Sequence, residues 1–489
     1  MRRRLAIPLA LLPVVILFAA PTLAAPEYVI VTPEAFAAEF QPLADWRTAH
    51  GLSAEVRTVE WITAHYPGGD DAEKVRNFIQ DAYASLGTMW VLLGGDAESV
   101  PVRYARTTIL GGVDILSDYY FMCLDGNWNA DGDPYFGELE DQVDLAPEVF
   151  AGRSPVSTAL EARAFVQRTI EYETHAPEVG YPASALLLAE QLLPNLHGAT
   201  IAEGVAAFLP PAFIVQRLYA QAAQWPGAFE LTRAATLQEL NAGYGFVLHV
   251  GSENATSWSL GDAPLTIPDV QGLGNAPRVP MVYAFAGKTA QFDLDDAIGE
   301  HWLTSPGGGV AYIGCTNFGF VGTGTSLLNE WARGVFTGPG LRIGAANALA
   351  RVPLVQQAQV EGAARWMLFT LTLLGDPALA LRREATTAVD PSAAGPVPDV
   401  ALTDLAPNPF SGEISIGFDL ARAATGAQLS VYDASGRLRR QLFSGPLASG
   451  PHAVRWNGEG PDGEVPPGVY FIRLDANGAS ATRKIARLP

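Results

Sequence analysis

The residues best suited to covalent chemistry are few. His249 is the penultimate residue of an apolar run, 245–250, just ahead of the turn Gly251-Ser252-Glu253. An imidazole at a strand end is well placed to take or hold the proton of a thiol or hydroxyl. The chain has 2 cysteines, Cys123 and Cys315. A thiol attacks as the thiolate and needs a base within reach to form it. Cys315 follows the apolar run 309–313, and neighbouring strands would bring it to the same sheet edge as His249. His249 with Cys315 is therefore one candidate dyad. The competing reading makes His249 a half-buried, hydrogen-bonded histidine and Cys315 a small buried residue. Ser252 stands three positions from His249, but no carboxylate is evident to orient the ring beyond Glu253 or Asp262. Cys123 lies beside an acidic loop whose field raises a thiol pKa, which makes it a poor nucleophile.

That loop suggests a second kind of chemistry. Asn127-Trp-Asn129-Ala-Asp131-Gly132-Asp133, with Glu138 five positions later, follows the spacing of a calcium-binding loop, and Asp125 sits just ahead of it. A hard cation needs six to eight oxygens, a glycine at the sharp turn and a final glutamate able to chelate with two oxygens. Asp125, Asn127, Asn129, Asp131, Asp133 and Glu138 are thus the candidate ligands of a structural Ca2+, without requiring a helix–loop–helix frame. The alternative is an acidic surface turn capped by its own Asx side chains. No catalytic cofactor is implied.

The elements that must position these residues occupy a long chain. It has 489 residues, 31 Lys+Arg against 51 Asp+Glu, a net charge of −20, 48 % hydrophobic and 17 % charged residues. This composition supplies packed cores and excludes global disorder. A chain this acidic, with three lysines (Lys74, Lys288 and Lys484), lacks the basic face that nucleic acid or an anionic membrane requires. Two cysteines cannot form a disulfide framework or a four-ligand zinc site. Arg2, Arg3 and Arg4, an apolar stretch over 6–20 and small residues at Ala24-Ala25 read as a secretory signal peptide over 1–25. The product is expected to be secreted or held at the outer cell surface, and no later apolar run is long enough to span a bilayer.

From residue 26 to 383, short apolar runs alternate with amphipathic stretches. Strands are expected at 28–32, 89–96, 184–188, 245–250, 279–285 and 309–313. Helices are expected from Phe36 through Trp46 and at 72–85, 200–208, 231–240 and 293–303. Strand–helix alternation with apolar strands predicts a mostly parallel sheet covered by helices. Residues 384–399 are rich in Ala, Thr, Ser, Pro and Gly without a period and read as a linker. In 400–489 the runs 414–418, 428–432, 452–456 and 469–474 alternate in twos between Gly, Asp and Pro turns, which predicts a small antiparallel β-sandwich.

Several phrases resemble the gingipain-type cysteine peptidases. They are Trp90-Val-Leu-Leu-Gly-Gly-Asp96 with Val100-Pro101-Val-Arg103-Tyr104; Ser117-Asp118-Tyr119-Tyr120; Val149-x-x-Gly152-Arg153-Ser-Pro155; and Ile170-Glu171-Tyr172-Glu173. Asn275 and Pro280 ahead of Val282-Tyr283, then Phe292 and Glu300, and finally Leu374-Gly375-Asp376-Pro377 complete the series. The resemblance implies a caspase-like α/β fold in two subdomains, 26–182 and 183–383. In the last 90 residues, Ala406-Pro-Asn408-Pro409-Phe410, Val431-Tyr432-Asp433, Trp456-Asn457-Gly458 and Gly468-Val469-Tyr470-Phe471 resemble the flagellar-hook-cap-type Ig-like or type IX-type sorting domain. That resemblance implies a module, 400–489, that sorts the exported chain or attaches it to the cell surface.

The family uses a His–Cys dyad, with the His in a turn after one strand and the Cys after the next. On the resembling register His249 matches an accessory His, and Ser252 stands at the base position. Gly287, or Ala286 one residue earlier, stands where the Cys would be. Neither substitute for the Cys can act as a nucleophile. The resemblance therefore implies a secreted homologue with both dyad positions replaced, a non-cleaving surface or binding protein for a peptide, protein or carbohydrate. The alternatives are an active cysteine endopeptidase using a displaced dyad such as His249 with Cys315, and an adhesion or assembly protein in which the α/β part is a scaffold.

Overall fold

The computed structural model describes residues 25–383 except 175–180, 286, 294–296 and 339, and residues 400–487 except 407–409, 411, 421, 434–436, 462, 467 and 478. The expected signal peptide, but for Ala25, and the linker 384–399 lie outside the described residues, as does Ala286.

Eleven strands form one sheet. In chain order they are β1 (Tyr28–Thr32), β2 (Ala54–Thr58), β3 (Trp90–Gly94), β4 (Phe150–Ser154), β5 (Ser184–Ala189), β6 (Ile214–Tyr219), β7 (Phe229–Glu230), β8 (Phe246–Val250), β9 (Met281–Phe285), β10 (Ala311–Cys315) and β11 (Leu371–Leu374). Their lateral order is β7-β6-β5-β8-β9-β10-β11-β4-β3-β1-β2. Strands β1 to β4 are parallel to one another, and so are β5 to β10. β11 runs antiparallel to β10 and meets β4 through the single pair Leu374↔Arg153. The two parallel groups are therefore one sheet with a narrow join.

These runs become strands because both faces are covered. Strand residues alternate between two apolar layers. Leu187, Leu248, Tyr283 and Ile313 belong to one layer. Leu186, Val247, Val282 and Tyr312 belong to the other. Helices supply the covers, among them α1 (Glu34–Ala49), α2 (Asp71–Asp81), α3 (Gly198–Ala206), α4 (Arg233–Ala242), α5 (Ile298–Thr304) and α6 (Val321–Phe336). α2 begins at Asp70, whose side chain accepts the Glu73 N–H, a cap that satisfies one of the otherwise unpaired first-turn donors. The helix expected over 72–85 is α-helical only to Asp81. It then widens into a π turn, Ala82–Leu86, and stops at Gly87 in the left-handed region. The helix expected over 293–303 begins at Ile298. The strand expected over 309–313 is shifted to Ala311–Cys315, so Cys315 lies inside the strand and not beyond it.

The C-terminal part is a β-sandwich. One sheet has β12 (Val400–Ala406), β13 (Ile414–Leu420) and β16 (Gly450–Trp456); the other has β14 (Ala424–Asp433), β15 (Leu438–Leu447), β17 (Gly468–Ala476) and β18 (Ala479–Arg487). All pairings within these two sheets are antiparallel. Along β13 buried and half-buried residues alternate without a break. Three of the seven strands escape the period-two reading. β15, for instance, carries Leu438-Arg-Arg-Gln and has no fully buried position.

The sandwich has its own core, formed by Ile416, Phe418, Leu429, Val431, Trp456 and Ile472 among others. A self-contained core predicts independent folding. Expressed alone, residues 399–489 should melt in one cooperative transition, followed by near-UV circular dichroism of Trp456. A gradual, non-cooperative loss of signal would remove this boundary.

Candidate functional site

The topology marks one crevice. The chain leaves β5 towards β6 and β7 on one side and returns to β8, β9 and β10 on the other. The connections therefore diverge at the C-terminal ends of β5 and β8, where open parallel sheets bind ligands. A similar divergence occurs between β1 and β3, but there the Phe40 ring packs so closely that a side-chain carbon at Gly94 would lie 2.9 Å from it.

Glu190 directly follows β5 and organises the first crevice. One carboxylate oxygen accepts the Ser252 N–H at 2.9 Å. The other accepts the Ser259 hydroxyl at 2.7 Å and the Gly261 N–H at 3.0 Å. The carboxylate thus pins both ends of the turn that follows β8. Gly251 is required by this approach, since a Cβ there would lie 2.8 Å from both Glu190 Oε2 and the His249 ring. Sequence reasoning missed Glu190. Its signal was a carboxylate set directly after the wholly apolar run Ser184-Ala-Leu-Leu-Leu-Ala189.

His249 is fully buried within β8. Its ring stacks on Trp258 with centroids 4.7 Å apart and planes 3° from parallel. Nε2 lies 2.9 Å from the Ser259 carbonyl, to which it donates when it carries the proton. Trp258 in turn stacks on Trp302 at 5.2 Å and donates to the Tyr312 hydroxyl at 3.2 Å. His249 is therefore part of an aromatic column on the Tyr312 face of the sheet.

Cys315 occupies the opposite face. It packs with Tyr283, Phe285 and Met367 around a small internal cavity and is 2 % exposed. The registers His249↔Ala284 and Tyr283↔Ile313 fix this outcome. Gly314 continues the row of His249 and Ala284, and Cys315 is one residue out of phase with that row. A one-residue step along a strand reverses the side chain. The structure thus does not bring His249 and Cys315 together, which corrects the candidate dyad.

Ser252 and Gly287 occupy corresponding places. Each lies two residues beyond the last paired positions, Val250↔Phe285. Ser252 is exposed; Gly287 is buried with φ of 77°, a left-handed conformation that a cysteine would adopt only under strain. The N–H of Ser252 is already taken by Glu190, which removes one backbone donor from the turn.

Cys123 is fully buried. Its thiol lies 3.2 Å from Asp144 Oδ1, and burial first, then the Asp144 charge, push its pKa up. Cys123 and Cys315 are not joined in a disulfide. The acidic loop divides the six expected calcium ligands. Asp131, Asp133 and Glu138 converge, with ligand oxygens within 4.8 Å of one another, whereas Asp125 groups with Asp144 and Glu148. Asn127 caps the Asn129 N–H at 3.0 Å, and Asp133 caps that of Tyr135 at 2.7 Å. Asp141, absent from the expected set, accepts the Gly137 N–H at 2.8 Å and also that of Ala130. Asn129 Oδ1 is buried without a hydrogen-bond partner. The three converging carboxylates are donors of the kind a hard cation takes.

A family model described as peptidase family C25 matches residues 22–382, and one described as an FlgD Ig-like domain matches residues 406–480. Among curated proteins, gingipain R2 of Porphyromonas gingivalis is 22 % identical over 274 residues, which is 54 % of this chain and 32 % of the relative. Gingipain R1 of the same organism is 22 % identical over 274 residues, 24 % of its length. The match thus spans a third or less of these relatives. Among solved structures, the complex of Porphyromonas gingivalis RgpB pro- and mature domains aligns with a TM-score of 0.58 at 17 % identity, covering 94 % of this chain and 100 % of that one. The Arg specific cysteine proteinase gingipain R aligns with a TM-score of 0.56 at 18 % identity, covering 94 % and 98 %. At such identities the structural likeness establishes the fold alone. The family matches, taken with the eleven-stranded sheet and the sandwich, show that this chain belongs to peptidase family C25 and carries a C-terminal FlgD-type Ig-like domain.

Proposed function

We propose that this chain is a C25-family protein that does not cleave peptide bonds and uses the peptidase fold for binding at or outside the cell surface. One observation supports the reading: both cysteines are buried, and Cys315 lies in the layer opposite to the one that His249 enters. Cysteine proteolysis needs a thiolate, a base that forms it and donors for the developing oxyanion. Ser252 and Gly287, at the places that follow β8 and β9, supply neither of the first two. The crevice between β5 and β8 remains a polar ledge, with the exposed Ser252 and Lys288 at its rim, and a peptide or protein segment is the ligand class proposed for it. Export by the N-terminal segment and attachment through the sandwich belong to the same proposal. Among the described residues, no helix is long and apolar enough to cross a membrane.

The test is a broad peptide library under reducing conditions. The expected result is no thiol-dependent turnover by the mature protein, with Cys315→Ala indistinguishable from it. Turnover lost in Cys315→Ala would overturn the reading. So would turnover lost only in His249→Ala.

The Asp131, Asp133 and Glu138 cluster is proposed to hold a structural Ca2+. Partial burial first, and then the charges of Asp133, Glu140, Asp131 and Asp141, raise the Glu138 pKa, and a divalent cation would relieve the repulsion. A ligand of the native state alone raises stability by mass action. Calcium should therefore raise the Tm of the mature protein, and Glu138→Gln should abolish the rise. An unchanged Tm, or an equal rise in the variant, would remove the ion.

A further inference from the structure

The turn that follows β8 carries a triplet to which the crevice gives no role. Asn254-Ala255-Thr256 is the only Asn-x-Ser/Thr triplet in the sequence, and its middle residue is not proline. Such a triplet is the acceptor pattern for an N-linked sugar, and it serves only where the asparagine stands on the surface of an exported chain.

The local structure places it on the surface. Glu253–Asn254 and Ser257–Trp258 pair antiparallel, with Asn254 opposite Ser257. Ala255 and Thr256 are therefore the two-residue tip of a hairpin. The hairpin is fastened from its inner side. Trp258 is fully buried in the aromatic column, Ser259 donates to Glu190, and the Ala255 carbonyl accepts the Ile298 N–H at 2.7 Å. Asn254 and Thr256 remain exposed.

Within the tip, Asn254 Oδ1 accepts the Thr256 N–H at 2.9 Å and the Thr256 hydroxyl at 3.1 Å. This Asx turn fixes the amide in one orientation and engages its oxygen. Nδ2, the atom that takes the sugar, has no hydrogen-bond partner among the described residues. Both functional side chains of the triplet are thus held by each other and by the turn backbone, on a rigid tip, with the amide nitrogen unengaged.

We propose that Asn254 is the acceptor of an N-linked glycan, delivered from a polyprenyl-diphosphate-linked oligosaccharide by an oligosaccharyltransferase. A bond forms between Asn254 Nδ2 and the anomeric carbon of the first sugar. The bond from that carbon to the diphosphate oxygen breaks, the diphosphate leaves with the electron pair, and one amide proton passes to a base of the transferase. The glycan would stand two residues beyond Ser252, at the mouth of the crevice, and would screen that ledge from bulky partners. The proposal rests on the export reading above, because the pattern is used in secreted chains.

The test is expression of the full chain in a secretory host that carries such a transferase, once with its own N-terminal segment and once behind a proven leader. An Asn-x-Thr triplet added after Pro489 serves as internal control in both. Secreted protein is followed by intact mass and peptide mapping, before and after peptide-N-glycanase. One glycan at Asn254 is expected with either leader, removable by the glycanase. Asn254→Gln and Thr256→Ala should each lose that glycan entirely, whereas Thr256→Ser should keep it. Secretion and modification behind the proven leader alone would contradict the export reading and support the acceptor site. Secreted chains modified at the added triplet but not at Asn254 would overturn the proposal.

Discussion

The alternation of side chains along β8, β9 and β10 constrains everything at the candidate site. These strands are parallel and in register, so a residue's parity decides which layer receives it. His249 shares a row with Ala284 and enters the Trp258, Trp302 and Tyr312 column. Cys315 is one step out of phase and enters the other layer with Tyr283 and Phe285. No rotamer can carry a thiol through a sheet. Only residues in the turns beyond the strand ends escape this parity, and there the chain places Ser252 and Gly287.

The family's sequence phrases turn out to be joints between elements. Arg153, wholly buried, donates to both oxygens of Asp118 at 2.8 Å and to the carbonyls of Gly95 and Val100, and its guanidinium lies 4.6 Å from the Phe292 ring centroid. Four of the recognisable phrases thus meet around one cation. Asp376 does the same at the narrow join of the sheet, accepting from the Tyr28 hydroxyl at 3.0 Å and from Arg47, which also binds Glu173. Removing one partner from such a buried pair typically costs about 3–5 kcal/mol, because the other charge is left stranded. These joints hold the fold together and involve neither His249 nor either cysteine.

Much of the fold was legible because its strands are apolar on both faces and its helices are amphipathic. The lateral order was not, since pairing among eleven strands is a long-range property. Nor was the exact frame of β10, where a two-residue shift moved Cys315 from a sheet edge into a core. At the site, the placing of Ser252 and Gly287 at the dyad positions rests on resemblance and not on any pattern in the chain itself. Glu190 went unread because its role depends on a turn some sixty residues away in sequence. The acidic loop was visible as a pattern, but spacing alone could not show that Asp125 folds towards Asp144 and Glu148, or that Asp141 holds the loop's backbone.

Accessibility of the two thiols tests the central claim most directly. The native protein is exposed to iodoacetamide at neutral pH, and alkylation at Cys123 and Cys315 is followed by mass spectrometry against a free cysteine peptide. A non-cleaving fold with both thiols buried predicts that neither residue is modified while the peptide reacts to completion, and that both are modified once the protein is unfolded. Rapid, stoichiometric alkylation of Cys315 in the native protein, slowed by His249→Ala, would contradict the account, because it would require a thiolate formed by that imidazole.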